Sequence, residues 1–346
     1  MQTVNRTAFL NQLLAVQPGL AEREIIEQSS CIAFVKGRAY TYNDEVACSA
    51  EVPLTLSGAI PAKTLLSILG KMPDEELIVE EDDAEIVFKG KGRRFKLRKE
   101  AKIALPVDKL ESPKSWIKMP KHFAEAVDMV RHSASTDKSR FKLTCVHISP
   151  NHIEACDNFQ LSRFRLKTGV EKSVLVKKSS IENIVGMKMI EMAETETWLH
   201  FRNASGVVLS CRRYVEKYHD VEGVLKEKGK PIVLPKRLGE AADRASVFSS
   251  ETTNDNQVRV RLSEGLLRIR GVGEVGWYSE TRKVSYTGPE LEFLIAPSLL
   301  GQIADKFREA FVDSNQLRVE GPEWVFVTCL GKPTDKVSKS ESSDEK

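Results

Sequence analysis

Asn5-Arg6-Thr7-Ala8-Phe9-Leu10 opens a helix-like segment. The same kind of opening returns at Lys121-His122-Phe123-Ala124 and at Lys236-Arg237-Leu238-Gly239. Positions 6, 121 and 236 are separated by equal steps of 115 residues. A second helix-like segment recurs as Ile60-Pro61-Ala62-Lys63-Thr64-Leu65-Leu66, Leu175-Val176-Lys177-Lys178-Ser179-Ser180-Ile181 and Ile295-Ala296-Pro297-Ser298-Leu299-Leu300, in steps of 115 and 120 residues. Two landmarks that keep one period mark repetition of a whole unit. Solenoid repeats run about 20–50 residues, so a period this long is a small domain used three times. The expected boundaries are 1–115, 116–232 and 233–331. The remaining segment, 332–346, is rich in Lys, Ser, Asp and Glu, lacks aromatics, and has the composition of a disordered tail.

Each copy reads in the same order. An amphipathic helix comes first: Thr7 can cap it, and Phe9, Leu10, Leu13 and Leu14 share a face at helical spacing. The matching face in the second copy is Phe123, Val127 and Val130. Extended segments follow at Ser30–Phe34, Ala39–Tyr42 and Ala47–Val52, with turns at Lys36-Gly37 and Asn43-Asp44. A second helix spans Pro61–Met72, with proline in its first turn. Strands Glu76–Glu81, Glu85–Lys89 and Arg93–Arg98 close the copy. The second copy closes with Thr197–Arg202 and Val207–Arg212, the third with Gln316–Glu320 and Glu323–Cys329. Helix, strands, helix, strands is an α+β pattern in which helices cover one face of antiparallel sheets.

Composition narrows the class. The chain has 346 residues, 41% hydrophobic content and a formal net charge of +3, enough for two or three domains with no demand for a polyanionic partner. No apolar run approaches the ~18 residues of a membrane span, and no signal-peptide pattern opens the chain. Six cysteines without a signal predict reduced thiols in a cytosol-like compartment.

Motif by motif, catalysis finds no support. Gly271-Val272-Gly273-Glu274-Val275-Gly276 has the spelling of a dinucleotide-binding loop. That mechanism needs a helix immediately afterwards, and here Trp277-Tyr278-Ser279 continues as a strand, which predicts a hairpin. Cys145, His147, His152 and Cys156 cluster in sequence, but their spacing fits no common zinc pattern and strand side chains alternate between faces. They read as buried cysteines and surface histidines, with no metal and no cofactor expected. The run Glu80-Glu81-Asp82-Asp83 lies at a turn and reads as a solvated loop.

The expected helices carry Arg6, Lys63, Lys71, Lys121, Arg131, Lys177, Lys178, Lys236, Arg237 and Lys306, and basic residues recur near helix starts in all three copies. Acids such as Glu125, Asp128, Glu182 and Glu240 share those helices. Lysines and arginines so placed offer sequence-independent contacts to phosphates.

Three stretches carry a family resemblance. Ile153-Glu154-Ala155-Cys156-Asp157-Asn158-Phe159-Gln160-Leu161-Ser162 looks like the A-T-D-G-H-R-L-A signature of the bacterial DNA polymerase III β subunit, the sliding clamp, including its divergent phage versions. Ala245–Glu251 followed by Val258–Leu262 and Leu267–Ile269 resembles the opening of that family's third domain. Leu209–Arg212 through Tyr218-His219-Asp220 to Val224-Leu225 looks like the close of its second. The resemblance spans nearly the whole chain apart from the tail.

That resemblance implies three clamp domains per subunit and a head-to-tail homodimer ring around duplex DNA. It implies no enzymatic activity and a cytoplasmic, nucleoid-associated location. Phe95 and Leu97 match the family's apolar interface pair, and Val247 and Phe248 match the partner pair. DNA polymerase and clamp loader would dock short linear peptides in an apolar pocket between the second and third domains. The matching positions are Cys156, Asn158, Phe159, Leu161, His219, Val224, Thr328 and Leu330. Asn158 and Phe159 replace the signature glycine and histidine, Gly223 replaces an arginine, and Thr328-Cys329-Leu330-Gly331 plus the tail replaces a proline-containing end. These departures imply a pocket reshaped for a different peptide. Two other readings remain open on sequence alone. One is a non-ring nucleic-acid-binding scaffold built from the same repeats. The other is a metal-dependent enzyme using the Cys/His cluster.

Overall fold

Asn5 starts the first helix, α1 (Arg6–Ala15), by accepting a hydrogen bond from the Ala8 amide on its side-chain oxygen at 2.9 Å. The cap is thus Asn5 rather than the expected Thr7, which lies inside the first turn. Phe9, Leu13 and Val16 are fully buried, the i, i+4, i+7 stripe of a core-facing helix. Leu14 falls one residue off that stripe and is 43% exposed. Strand Gly58–Pro61 runs directly into α2 (Ala62–Lys71), which buries Ala62, Leu65 and Leu69. In this computed structural model, which describes residues 1–249 and 257–333, the chain falls into two units. The first comprises Met1–Ala155 and Leu166–Tyr218; the second comprises Cys156–Arg165 and the chain from His219. Most of the expected tail, from residue 334 on, lies outside the described residues, as do Ser250 and Glu251.

In the first unit, Gln2–Asn5, Glu76–Glu81, Glu85–Gly90 and Arg93–Arg98 form a four-stranded antiparallel sheet in that spatial order. A second sheet runs Gly58–Pro61, Cys31–Val35, Arg38–Tyr42, Val46–Glu51. The Lys36-Gly37 turn between its middle strands has positive φ at both residues (48° and 75°), the geometry of a two-residue hairpin turn for which glycine is suited. Val46–Glu51 then pairs with Val208–Tyr214, and the sheet continues through Trp198–Asn203 to Met189–Glu194. Helix α3 (Phe123–Arg131) buries Phe123, Val127 and Val130 completely, as its spacing predicts.

The expected helix over Leu175–Ile181 is corrected by the structure. Val174–Lys177 is a strand, and only Lys178–Ile181 forms a helical turn, α4. Val174, Leu175 and Val176 are all fully buried, paired on one side with Cys145–Ile148 and on the other with Arg213 and Tyr214. A strand covered on both faces reads as a continuous apolar run, which periodicity cannot separate from a buried helix. The recurring second landmark is therefore a strand-to-helix junction: Gly58–Pro61 into α2, Val174–Lys177 into α4, and Leu291–Ile295 into α7 (Pro297–Lys306).

The second unit holds α5 (Glu222–Lys226), α6 (Leu238–Ser249) and α7. One sheet runs Gly276–Lys283, Leu266–Gly273, Val258–Ser263, Leu291–Ile295. The other runs Lys230–Val233, Glu309–Val312, Gln316–Glu320, Trp324–Cys329, Gln160–Arg165. Leu238, Ala241, Ala242 and Ala245 of α6 and Leu300, Ile303 and Ala304 of α7 pack into one core with Val258, Val260, Ile269 and Val319. The Gly271–Gly276 stretch is a hairpin as expected: Gly273 pairs with Gly276 across the turn. Gly271 is needed because a Cβ there would stand 1.8 Å from the Ala245 carbonyl oxygen, so only glycine lets α6 lie on this strand. All six cysteines are free thiols, five buried and Cys329 exposed. No helix among the described residues is long and apolar enough to cross a membrane.

His200 provides a pH test of the first unit. Its Nδ1 lies 2.7 Å from Ser210 Oγ and its Nε2 2.9 Å from Thr195 Oγ1. The ring is 2% exposed, and burial lowers its pKa to about 4 against the partial counter-effect of the Glu111 charge. The unfolded chain therefore takes up this proton first. Stability from neutral His200 is fully present above pH 6.5 and is lost as pH falls toward 4, by on the order of 3 kcal/mol. Denaturant unfolding of wild type and His200→Gln at pH 7, 5.5 and 4.5 should show a steeper decline for wild type. Parallel declines would contradict this assignment.

Candidate nucleic-acid interface and peptide-binding edge

The ten basic residues expected to face phosphates divide into two groups. Arg6 donates from Nε to the Asp74 carbonyl (2.8 Å) and from Nη1 to the Leu69 carbonyl (3.0 Å). It thereby satisfies carbonyls that the end of α2 leaves without intrahelical partners. Arg131 pairs with Asp128 at 2.8 Å and Glu182 at 3.0 Å. Lys177 pairs with Glu45 at 2.6 Å and lies over the Phe141 ring. Arg237 pairs with Glu240 at 2.7 Å. Among the described residues, no ion pair engages Lys63, Lys71, Lys121, Lys178, Lys236 or Lys306; Lys178 is half-buried and the other five are exposed. Lys71 and Lys306 occupy the last turns of α2 and α7, where helix dipoles favour cations.

Lys236 also lines an open cleft of about 550 Å³ with Arg282, Lys283 and Arg308 and no acidic residue. Arg282 and Lys283 escaped the sequence reading because they sit on a strand that carries no helix-start signal.

All eight residues expected at the peptide pocket lie in the second unit. Asp157 accepts the Phe159 and Gln160 amides on Oδ1 (2.7 and 2.8 Å), closing a tight turn before strand Gln160–Arg165. Gln160 stands opposite Thr328 and Leu161 opposite Val327, and the Cys329 amide donates to the Phe159 carbonyl at 2.6 Å. Helix α5 is tied to the same sheet. Arg163 pairs with Glu222 at 2.6 Å, and Arg318 donates to the Leu225 carbonyl at 2.7 Å. Arg318 also pairs with Glu320 at 2.6 Å. Burial pushes the Glu320 carboxyl up, but hydrogen bonds from Lys228 and Arg318 outweigh it and hold the group below its usual range.

Within this frame, Cys156, Leu161, Thr328 and Leu330 are buried, and Leu330 belongs to the core of the second unit. Asn158 and His219 are exposed, with Phe159 69% and Val224 44% exposed. The edge thus offers two apolar side chains on a rigid backbone. Arg163, Arg318 and Trp324, whose Nε1 donates to Ser162 Oγ at 2.7 Å, hold it together. No local signal along the chain reveals them, since their partners are as distant as 162 residues.

Two long end strands stand out among the described residues. Arg93–Arg98 is an end strand in which Phe95 and Leu97 are half-buried, with Phe95 stacked on Phe88 at 4.7 Å. Gly276–Lys283 is an end strand of the second unit, carrying Trp277 53% exposed. Beside it on α6 stand Val247, 66% exposed, and Phe248, half-buried. Arg244 and Glu280 are bridged at 2.7 Å. Burial raises the Glu280 carboxyl, but hydrogen bonds from Tyr278, Arg244 and Arg282 outweigh that and bring it to about 2.

Cys145, His147, His152 and Cys156 do not converge as a set. His147 and His152 instead come together with Glu154, their donor atoms within 4.8 Å of one another. Sequence reasoning missed Glu154. Register is the signal that finds it: the residue opposite His147 across the hairpin is Glu154, and His152 precedes it by two.

Among solved structures the chain is similar to the sliding clamp (DNA polymerase III subunit beta) of Pseudomonas aeruginosa bound to griselimycin, with 17% identity and a TM-score of 0.82, covering 96% of this chain and 99% of that one. The DNA polymerase III beta chain of Streptococcus pneumoniae is 16% identical with a TM-score of 0.83 over 96% and 99%. The beta subunit of Thermotoga maritima is 16% identical with a TM-score of 0.80 over the same shares. No family model and no curated protein sequence matches the chain. The chain has the sliding-clamp fold, α+β with helices on antiparallel sheets, as the repeat and the resemblance predict.

Arg6→Ala should lower unfolding free energy by about 1–2 kcal/mol, since it removes two hydrogen bonds to partly buried carbonyls. Lys63→Ala should change it by less than about 0.5 kcal/mol. Denaturant melts of the two variants check the division, and equal effects would contradict it.

Proposed function

We propose that this protein is a DNA sliding clamp. It is a processivity factor, without catalytic activity of its own, that closes as a head-to-tail homodimer around duplex DNA and tethers a DNA polymerase. The observation that supports the reading is the extent of the shared fold: 95–96% of this chain against 98–99% of each clamp chain. Three clamp domains, 1–115, 116–232 and 233–331, fit the repeated strand-to-helix junctions. The protein would act in the cytoplasm, at the nucleoid.

Lys63, Lys71, Lys121, Lys178, Lys236 and Lys306 are the phosphate-facing residues in this reading. Arg6, Arg131, Lys177 and Arg237, already held by partners, act mainly through structure. A ring holds DNA by topology, so its contacts need only be weak and exchangeable. Half a dozen lysines supply that, with a strong dependence on salt.

Phe95 and Leu97 of one copy would meet Val247 and Phe248 of the other, joining the Arg93–Arg98 edge to the Gly276–Lys283 edge. Such a heterologous contact closes after two copies and removes both open edges. Polymerase and clamp-loader peptides would lie along Phe159, Val224, His219 and Asn158, above the buried Cys156, Leu161, Thr328 and Leu330. Extended peptides with one or two hydrophobic anchors suit such a surface.

Two measurements test the proposal. Light scattering of the full chain should give a dimer of the 38.8 kDa subunit, and Val247→Glu with Phe248→Glu should give a folded monomer. A monomeric wild type, or a dimeric variant, would reject the interface. Protein loaded on nicked circular DNA should survive a high-salt wash and be released when the circle is cut. Equal retention on linear DNA would favour a non-ring scaffold.

A further inference from the structure

We propose that His147, His152 and Glu154 form a zinc-class divalent-metal site in the first unit. The hairpin Cys145–Ile148 and His152–Cys156 puts His147 directly opposite Glu154. His152 lies two residues before Glu154 on the same strand. Cross-strand partners and i, i+2 neighbours share one face of a sheet, so all three side chains project together.

Their geometry converges on one point. His147 Nδ1 is 2.7 Å from Glu154 Oε1, and His152 Nε2 is 3.3 Å from the same oxygen. The two rings meet edge to face, centroids 5.7 Å apart at 75°, which lets both nitrogens approach without the rings colliding. His147 is braced from behind by stacking on Tyr218 at 4.8 Å. A tetrahedral ion about 2.1 Å from each donor would hold the donors about 3.4 Å apart. The two nitrogen-to-Oε1 separations lie within an ångström of that spacing, and all three donor atoms lie within 4.8 Å of one another.

Two independent features distinguish the cluster from an ordinary surface ion pair. The Glu154 side chain is 2% exposed, so the shared oxygen sits away from bulk water. His152 Nε2 is buried and makes no hydrogen bond: it is close to Oε1 but outside hydrogen-bonding geometry. A divalent cation would accept the imidazole lone pairs beside the carboxylate. Two imidazoles and one carboxylate are a zinc donor set that leaves a fourth position for water. The side chains of His147 and His152 remain 12% and 23% exposed, which gives the ion a route in. Neighbouring Cys145 is not a ligand. Its Sγ donates to the Phe141 carbonyl at 3.4 Å, and it lies outside the cluster of three donors.

Zinc binding is measured on the free chain, so the inference stands apart from the clamp reading. Full-length protein stripped with chelator should bind one zinc per chain in competition with a chromophoric indicator at neutral pH. Zinc should also raise its unfolding midpoint. Glu154→Gln and His152→Gln should each weaken binding at least tenfold. His219→Gln and Cys329→Ser, which remove the exposed imidazole and thiol, should leave it unchanged. Cobalt in place of zinc should show visible bands of a nitrogen and oxygen site without the intense near-ultraviolet absorption of thiolate ligation. Less than a tenth of an equivalent bound by wild type, no shift of its midpoint, undiminished binding by folded Glu154→Gln, or thiolate absorption would each overturn the assignment.

Discussion

The main-chain ladder between Val46–Glu51 and Val208–Tyr214 is the constraint on which the first unit depends. Four residue pairs, from Val208 opposite Ser49 to Cys211 opposite Val46, turn two separate sheets into one. Polar contacts lock its end. Glu45 accepts from Lys177 Nζ at 2.6 Å and from the Tyr214 hydroxyl at 2.8 Å. Arg212 pairs with Asp44 at 2.7 Å and lies 4.4 Å over the Trp198 ring. Cys48 and Cys211 are buried at the seam, and burial pushes the Cys48 thiol to about 12 and raises that of Cys211. They are neutral packing groups. Once this ladder forms, two inner edges vanish. The Gln2–Asn5 end is short, with Gln2 bonded to Thr55 in both directions, and Leu291–Ile295 is bridged by Leu294 to Gly331. The long edges left are Arg93–Arg98 and Gly276–Lys283, one in each unit, and unpaired edges are where a second chain can add.

How much of this the sequence disclosed depended on the range of the interaction involved. Helices α1, α3 and α6 and the hairpins between residues 31 and 98 announce themselves through local spacing and turn residues. Leu175–Ile181 did not, because burial on both faces erases the alternation that marks a strand. Thr7 lost the cap to Asn5, two residues earlier, where the chain is still extended and an Asx oxygen can reach the third amide onward. Side-chain roles were least legible. Lys177 finds its acid 132 residues away, and Arg131 finds Glu182 51 residues away, so no window along the chain shows them paired. Glu154 was passed over because the sequence view looked for Cys and His at zinc-finger spacing, whereas a hairpin brings donors together by register.

The division among the basic residues follows from their chemistry. Arginine's fixed fork of donors suits carbonyl clusters and carboxylates, and Arg6, Arg131, Arg163, Arg212 and Arg318 are all held that way. Of the ten basic residues singled out at or near helix ends, the six that neither an ion pair nor a carbonyl cluster holds among the described residues are lysines, compact and strongly hydrated charges on flexible stems. For the proposed ring, which would have to move along DNA, lysine is the better lining. Its phosphate contacts are single and non-directional, and each breaks without the loss of a bidentate pair.

The proposed peptide edge follows the same separation of frame from contact. Its backbone is fixed by the Asp157 turn, the pairing of Gln160–Arg165 with Trp324–Cys329, and the two arginines that pin α5. Phe159 and Val224 project from that frame with much of their surface in water. Burying a side chain of this size is worth about 1.5–3 kcal/mol, and a rigid frame loses little ordering entropy when a ligand lands. Phe159 stands where the resembled family has histidine, so the edge gains an apolar anchor point and loses a polar one. A peptide matched to this surface should therefore bring an aromatic or aliphatic side chain to Phe159 in place of a hydrogen-bonding group.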